Sequence, residues 1–187
     1  LFSNICDKGK MGIVYPGVNW AGLGKLKRVK SKNTLLYVGR FAENKRLDRM
    51  LHVIAELKVR IKDAKLLLIG EDWGEENKLL KLAKKLNLRN NVRFLSKISN
   101  HYRYFSKSNI FLLSSEYEGF GTSVVEAMAS GLPAVVNDIE TMHEIVENGK
   151  NGFIVDFENY KNTAEIISRV LENTNLQKLL GRNARIS

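Results

Sequence analysis

Short apolar runs alternate with amphipathic stretches along the chain. This alternation predicts an α/β fold, a Rossmann-like parallel sheet of roughly six strands with helices on both faces. The runs at 34–39, 65–69, 92–95, 110–113, 134–136 and 152–155 are rich in Leu, Ile, Val and Phe and end on small or polar residues, as buried parallel strands do. The 110–113 run reads as a central strand and 152–155 as an edge. Leu47, Met50, Leu51, Ile54 and Leu57 recur at helical spacing and predict a helix over 46–60. Further helices are expected over 75–86, 102–106, from 121 or 122 through Glu126, then 142–147, 160–171 and 176–185. Residues 19–32, rich in Gly and Lys, read as a connecting stretch. No repeat or second boundary interrupts the alternation, so the 187 residues read as a single domain.

The most specific chemistry lies between the fourth and fifth strands. Gly119 and Gly121 allow a close backbone approach, and the helix that follows directs free N–H groups and the positive end of its dipole outward. That is the construction of a phosphate site. Glu118 and Glu126 flank it eight positions apart, and Gly131 before Pro133 supplies the helix stop. In parallel sheets ligands sit outside the carboxyl ends of the strands, which draws attention to two other turns, 39–46 and 70–74.

Composition narrows the class. A hydrophobic fraction of 44% with two prolines describes an ordered globular chain, and no apolar run reaches the ~18 residues of a membrane span. The first residues lack the apolar core of a secretory signal, and a single Cys6 suits a reducing compartment, so a cytoplasmic location is expected. The net charge of +10 suits an anionic partner or a lysine-rich solvated surface. Nucleic acid is not expected, for want of aromatic-interleaved basic strands or zinc-finger spacing, while anionic lipid headgroups stay open, with a peripheral place on the inner membrane face. His52 is expected to face out of its helix, His101 to open a short one and His143 to pack or be solvated. No pair of histidines has metal-ligand spacing.

The glutamate pair, the Gly119-Phe120-Gly121 turn between its members and the 129–136 run after it resemble the donor-sugar signature of the group 1 glycosyltransferases. The resemblance extends from 14–18, similar to the family's hinge-proximal segment, to 180–185. It implies the C-terminal, donor-binding half of a GT-B fold, with 1–32 as hinge-proximal segment and linker and with the N-terminal acceptor domain outside this chain. The implied activity is retaining transfer of a hexose from a nucleotide diphosphate sugar to an acceptor hydroxyl, as in polysaccharide or glycolipid synthesis. No cofactor or metal is implied, and the donor is a UDP-, GDP- or ADP-sugar.

By the same resemblance Arg40 and Lys45, after Gly39, clamp the donor diphosphate, where fixed cations stabilise the leaving group. Glu118 lies against the transferred sugar. The amides of Gly119, Phe120, Gly121 and Thr122 approach the sugar and diphosphate, and Glu126 accepts from the ribose hydroxyls. Glu116 takes the sugar-facing place if the turn is shifted. Gly70 contributes backbone near the nucleotide. Lys97 and Ile98 follow Ser96, which replaces a family glycine, and stand where the base is contacted. Trp73 either caps a base or sugar or packs on the neighbouring helix, the second being expected. The loop 137–144 lacks the family's glycine pair but keeps an acid, Glu144. Two other readings stay open, a sugar-nucleotide epimerase of like architecture and a non-catalytic nucleotide-binding or basic interaction module.

Overall fold

The computed structural model describes residues 17, 18, 22, 23, 25, 26, 32–96, 98 and 100–187. Cys6, the 14–16 part of the hinge-proximal segment, most of the connecting stretch and Lys97 lie outside the described residues.

Six parallel strands form one sheet: β1 (Thr34–Val38), β2 (Lys65–Ile69), β3 (Val92–Leu95), β4 (Ile110–Leu113), β5 (Ala134–Asn137) and β6 (Gly152–Val155). They are ordered β3-β2-β1-β4-β5-β6, with β4 beside β1 at the centre and β6 at an edge. The apolar runs bury both faces of the inner strands, so Leu35, Leu36, Tyr37, Ile110, Phe111 and Leu112 are fully buried.

The helices are α1 (Leu47–Arg60), α2 (Glu76–Lys85), α3 (Tyr102–Phe105), α4 (Thr122–Ala129), α5 (Glu140–His143), α6 (Tyr160–Glu172) and α7 (Thr174–Ile186). α1 turns Met50, Leu51, Ile54 and Leu57 into the core, as the spacing requires, and packs on α6. α7 packs on α4, where Gly181 is necessary because a Cβ there would lie 2.4 Å from the carbonyl oxygen of Gly131.

Two details depart from the sequence reading. The short helix expected over 142–147 occupies Glu140–His143, because Met142 is the buried anchor and the chain leaves the helix after it. His52 does not face freely outward. Its ring stacks on Tyr160 of α6 at 4.8 Å and 13°, so it belongs to the contact between α1 and α6.

The strand order reverses direction between β1 and β4. The connections leaving these two neighbours diverge to opposite sides, and a crevice opens above their carboxyl ends. The turn 39–46 and the turn 114–121 form its walls.

Candidate functional site

The β1 wall begins at Gly39, which bonds from its N–H to the carbonyl of Ile69 at 2.9 Å. Gly39 and Gly70 touch backbone to backbone, since a Cβ at Gly70 would stand 1.9 Å from the Gly39 carbonyl oxygen and Gly70 has φ 152°. Beneath them the buried Tyr37 donates its hydroxyl to the Arg40 carbonyl at 2.9 Å, which pins the turn. Burial and the nearby Glu118 charge push the Tyr37 phenol far above its ordinary range, so it stays a donor.

From that turn the Arg40 side chain reaches outward and lies 4.1 Å over the ring of Trp73. Trp73 is 56% exposed and donates its indole N–H to Glu71 at 3.2 Å. It therefore belongs to the rim of the crevice beside Arg40, rather than to the helix packing expected of it.

A 3₁₀ turn, Glu43–Lys45, carries the chain on to α1. Lys45 is only 9% exposed, so it is no ordinary surface cation. Its ammonium donates to both Glu118 carboxylate oxygens at 2.8 Å, across 73 positions of sequence. Arg46 then holds a left-handed conformation, φ 48°, that an L side chain seldom takes. The carbonyls of Lys45 and Arg46 are both 2.8 Å from the Ser114 hydroxyl, and the Asn44 carbonyl accepts from the Glu116 N–H at 3.0 Å. Strain at one residue is thus over-determined by the end of β4, as strained functional turns tend to be.

The β4 wall continues with Ser115, whose hydroxyl donates to Glu118 at 2.7 Å. Asn137 at the end of β5 donates to the Ser115 carbonyl at 3.1 Å, so three neighbouring strand ends brace one carboxylate. Glu116, the alternative acid, instead points outward to Arg46 and Arg49. Arg49 also meets Glu158 at 2.5 Å and fastens α1 to the loop before α6.

Gly119 faces open space, with nothing within 4 Å of a Cβ built there, and Thr122 is exposed. Gly121 takes φ 83° and has the Met142 methyl 2.7 Å from where its Cβ would be. Only glycine fits that position. No side chain caps α4, so its first-turn N–H groups and positive end are directed out of the helix.

Glu126 stands further along α4 with its side chain only 14% exposed. It lies beside Tyr102 and His101 at the start of α3. Ile98 is half-buried and packs against the core. His143 is 2.7 Å from Asp138 on the exposed side of α5.

The Lys45–Glu118 pair, the Arg40–Trp73 stack and the uncapped start of α4 thus all follow strand ends beside the switch point of a doubly wound sheet. The chain matches the family described as glycosyl transferases group 1 over residues 20–187. It belongs to that family.

Among curated relatives, N-acetyl-alpha-D-glucosaminyl L-malate synthase of Bacillus anthracis is 30% identical over 84% of this chain and 41% of its own length. An uncharacterized glycosyltransferase of Haemophilus influenzae is 31% identical over 87% of this chain and 46% of its own length. The chain spans between 41% and 54% of the first three curated relatives it matches.

Among solved structures, a Staphylococcus aureus TarM mutant in complex with Fondaparinux, alpha-GlcNAc-glycerol and UDP superposes with a TM-score of 0.81 at 25% identity, over 87% of this chain and 32% of that one. The C-terminal domain of the group 1 family protein LpcC from Francisella tularensis superposes with a TM-score of 0.75 at 20% identity, over 92% of both chains. The second likeness shows a shared fold over nearly the whole of both chains. This chain's own sheet has the six parallel strands expected from the alternation of apolar runs.

Sequence reasoning missed several members of the site. Ser114 and Ser115 follow a buried strand directly, and that position was a usable signal. Tyr37 was hidden inside an apolar run, and Asn137 at the end of β5 carried no motif.

Proposed function

We propose that this chain is the donor-binding domain of a retaining glycosyltransferase that moves a hexose from a nucleotide diphosphate sugar to an acceptor hydroxyl. The observation that carries the reading is the buried Lys45–Glu118 pair at the crevice between the β1 and β4 ends, beside the uncapped start of α4. The Lys45 ammonium is satisfied by Glu118. The diphosphate brings its own negative charge, shares that ammonium, and gains a second cation when Arg40 swings from Trp73. Negative charge that develops on the departing diphosphate then meets fixed positive charge and helix-start N–H groups, without a metal. Glu118, held by Ser115 and Lys45, faces the hydroxyls of the transferred sugar, and Gly119 leaves room for it. Glu126 takes the ribose, while Ile98 stands at the base.

The acceptor is held by a second domain, as the greater length of the relatives suggests. Closure of the two halves excludes water and completes the site, so this domain alone binds donor and transfers little or nothing. Among the described residues no helix is long and apolar enough to cross a membrane. Between Glu76 and Glu116 the sequence has nine Lys and Arg and no acid, which supports contact with an anionic membrane surface on the cytoplasmic side.

Titration of the chain with UDP, GDP, ADP and their sugar conjugates, followed by amide NMR shifts with Arg40→Ala as control, tests the donor site. Binding that is selective for one base and weakened by Arg40→Ala is expected. Binding by none of them would refute the reading.

A further inference from the structure

Glu126 is bracketed by two side chains from the start of α3. Tyr102 donates its hydroxyl to Oε1 at 3.3 Å, and His101 Nε2 stands 3.7 Å from Oε2. The His101 nitrogen is buried and makes no hydrogen bond, an exception for a group so enclosed. The imidazole is held by its neighbours, 4.6 Å from the Tyr102 ring and 5.9 Å from that of the fully buried Phe105. Each oxygen of one carboxylate therefore has its own polar group on the α3 side, and these groups are fixed by an aromatic cluster rather than by long flexible chains.

We propose that Tyr102 and His101 are positioning residues for the donor ribose: they hold the Glu126 carboxylate in the orientation that accepts from its vicinal hydroxyls. This rests on the donor-site reading of Glu126. A carboxylate has about four acceptor positions, so one bond from Tyr102 leaves enough for two sugar hydroxyls. The Glu126 charge raises the Tyr102 phenol above its ordinary range and keeps it a donor. His101 supplies the second point. A carboxylate movement of about 0.8 Å, as ribose draws it into place, brings Oε2 to hydrogen-bond length from Nε2 and satisfies the buried nitrogen.

The test is calorimetric titration of the chain with UDP, GDP and ADP and with their 2′-deoxy and 3′-deoxy forms, for the natural sequence, Tyr102→Phe and His101→Phe. Both substitutions keep an aromatic ring in the cluster, and thermal melts check that each variant folds. Tyr102→Phe should weaken the nucleotide that binds by roughly five- to tenfold, the size of one net hydrogen bond. That loss should shrink for each deoxy form, which lacks one of the two hydroxyls held by Glu126, and His101→Phe should behave alike. An equal loss on ribo and deoxy forms would mean a structural role only, and unchanged affinity for the ribo form would mean none; either overturns the proposal. If the natural sequence bound no nucleotide at all, the donor-site reading would fall first and the proposal with it.

Discussion

Lys45 and Arg40 are both cations of one turn, yet their surroundings differ enough to separate their effects on stability from their effects on transfer. Lys45→Ala leaves Glu118 a nearly buried carboxylate without its counter-ion, since its side chain is only 13% exposed, and should cost about 3 kcal/mol in urea unfolding. Arg40→Ala removes an exposed stack on Trp73 and should cost no more than about 1 kcal/mol. If the proposed function holds, both should cut turnover by orders of magnitude in a two-domain enzyme that carries this domain. Near-normal transfer by the Arg40 variant would remove it from the leaving-group site. Both residues were legible from the turn after the first strand. Their different burial was not, because Lys45 is enclosed by Ser114, Ser115 and Glu118, more than 65 positions away. Tyr102 and His101 were visible only as part of a short helix, since their relation to Glu126 spans a strand and two loops.

At the scale of elements, the turn from β2 to α2 shows how short signals acquire their meaning. Gly70 was expected to present backbone to a nucleotide, and its first duty is contact with the Gly39 carbonyl. Gly70→Ala should therefore destabilise the chain by about 3 kcal/mol or more, measured by urea unfolding, whether or not nucleotide is present. Two residues on, one Asp72 carboxylate oxygen accepts from the N–H groups of Gly74, Glu75 and Glu76, all at 2.9 Å, and so caps α2. The bond from Glu76 leads in holding this carboxyl below its ordinary value of 3.8. A lowered folded-state value means that the cap contributes fully above 3.8 and is lost as pH falls further and the carboxyl protonates. Asp72→Ala should then lower the melting temperature at neutral pH, with a deficit that shrinks as pH drops below about 4. A deficit independent of pH would mean that something other than the charged cap is lost. Helix and strand positions were otherwise legible to within a residue or two, since burial repeats at 3.6 in α1 and is continuous in the inner strands. α5 was displaced because four residues are too few to carry a period.

Over the whole molecule, charge is unevenly placed. The acid-free segment between Glu76 and Glu116 builds most of α2, β3 and α3, and six of its nine cations, Lys78, Lys81, Lys84, Lys85, Arg89 and Arg93, fall on α2, β3 and the turn between them, toward the β3 edge of the sheet. The exposed face of α2 carries Lys78, Lys81, Lys84 and Lys85. Vesicles containing phosphatidylglycerol should sediment the chain at low salt, and phosphatidylcholine vesicles should not. Binding should fade as salt rises, and reversing Lys81, Lys84 and Lys85 to Glu should abolish it. Equal binding to neutral vesicles, or indifference to the reversal, would refute an electrostatic membrane surface at this edge.

The amino-acid sequence by itself determined the α/β class, the number of strands, the glycine turn before α4 and the identity of the principal charged residues, because each is written in spacings of a few positions. Strand order, and with it the neighbourhood of the turns after β1 and β4, was decided only by the tertiary structure. Nothing local states that the fourth strand pairs with the first. That pairing follows from helices covering both faces and from right-handed crossovers that must close over a common core. It is also what places Lys45 against Glu118 and α3 against Glu126, so the candidate residues could be read from the chain while the site they form depended on the fold.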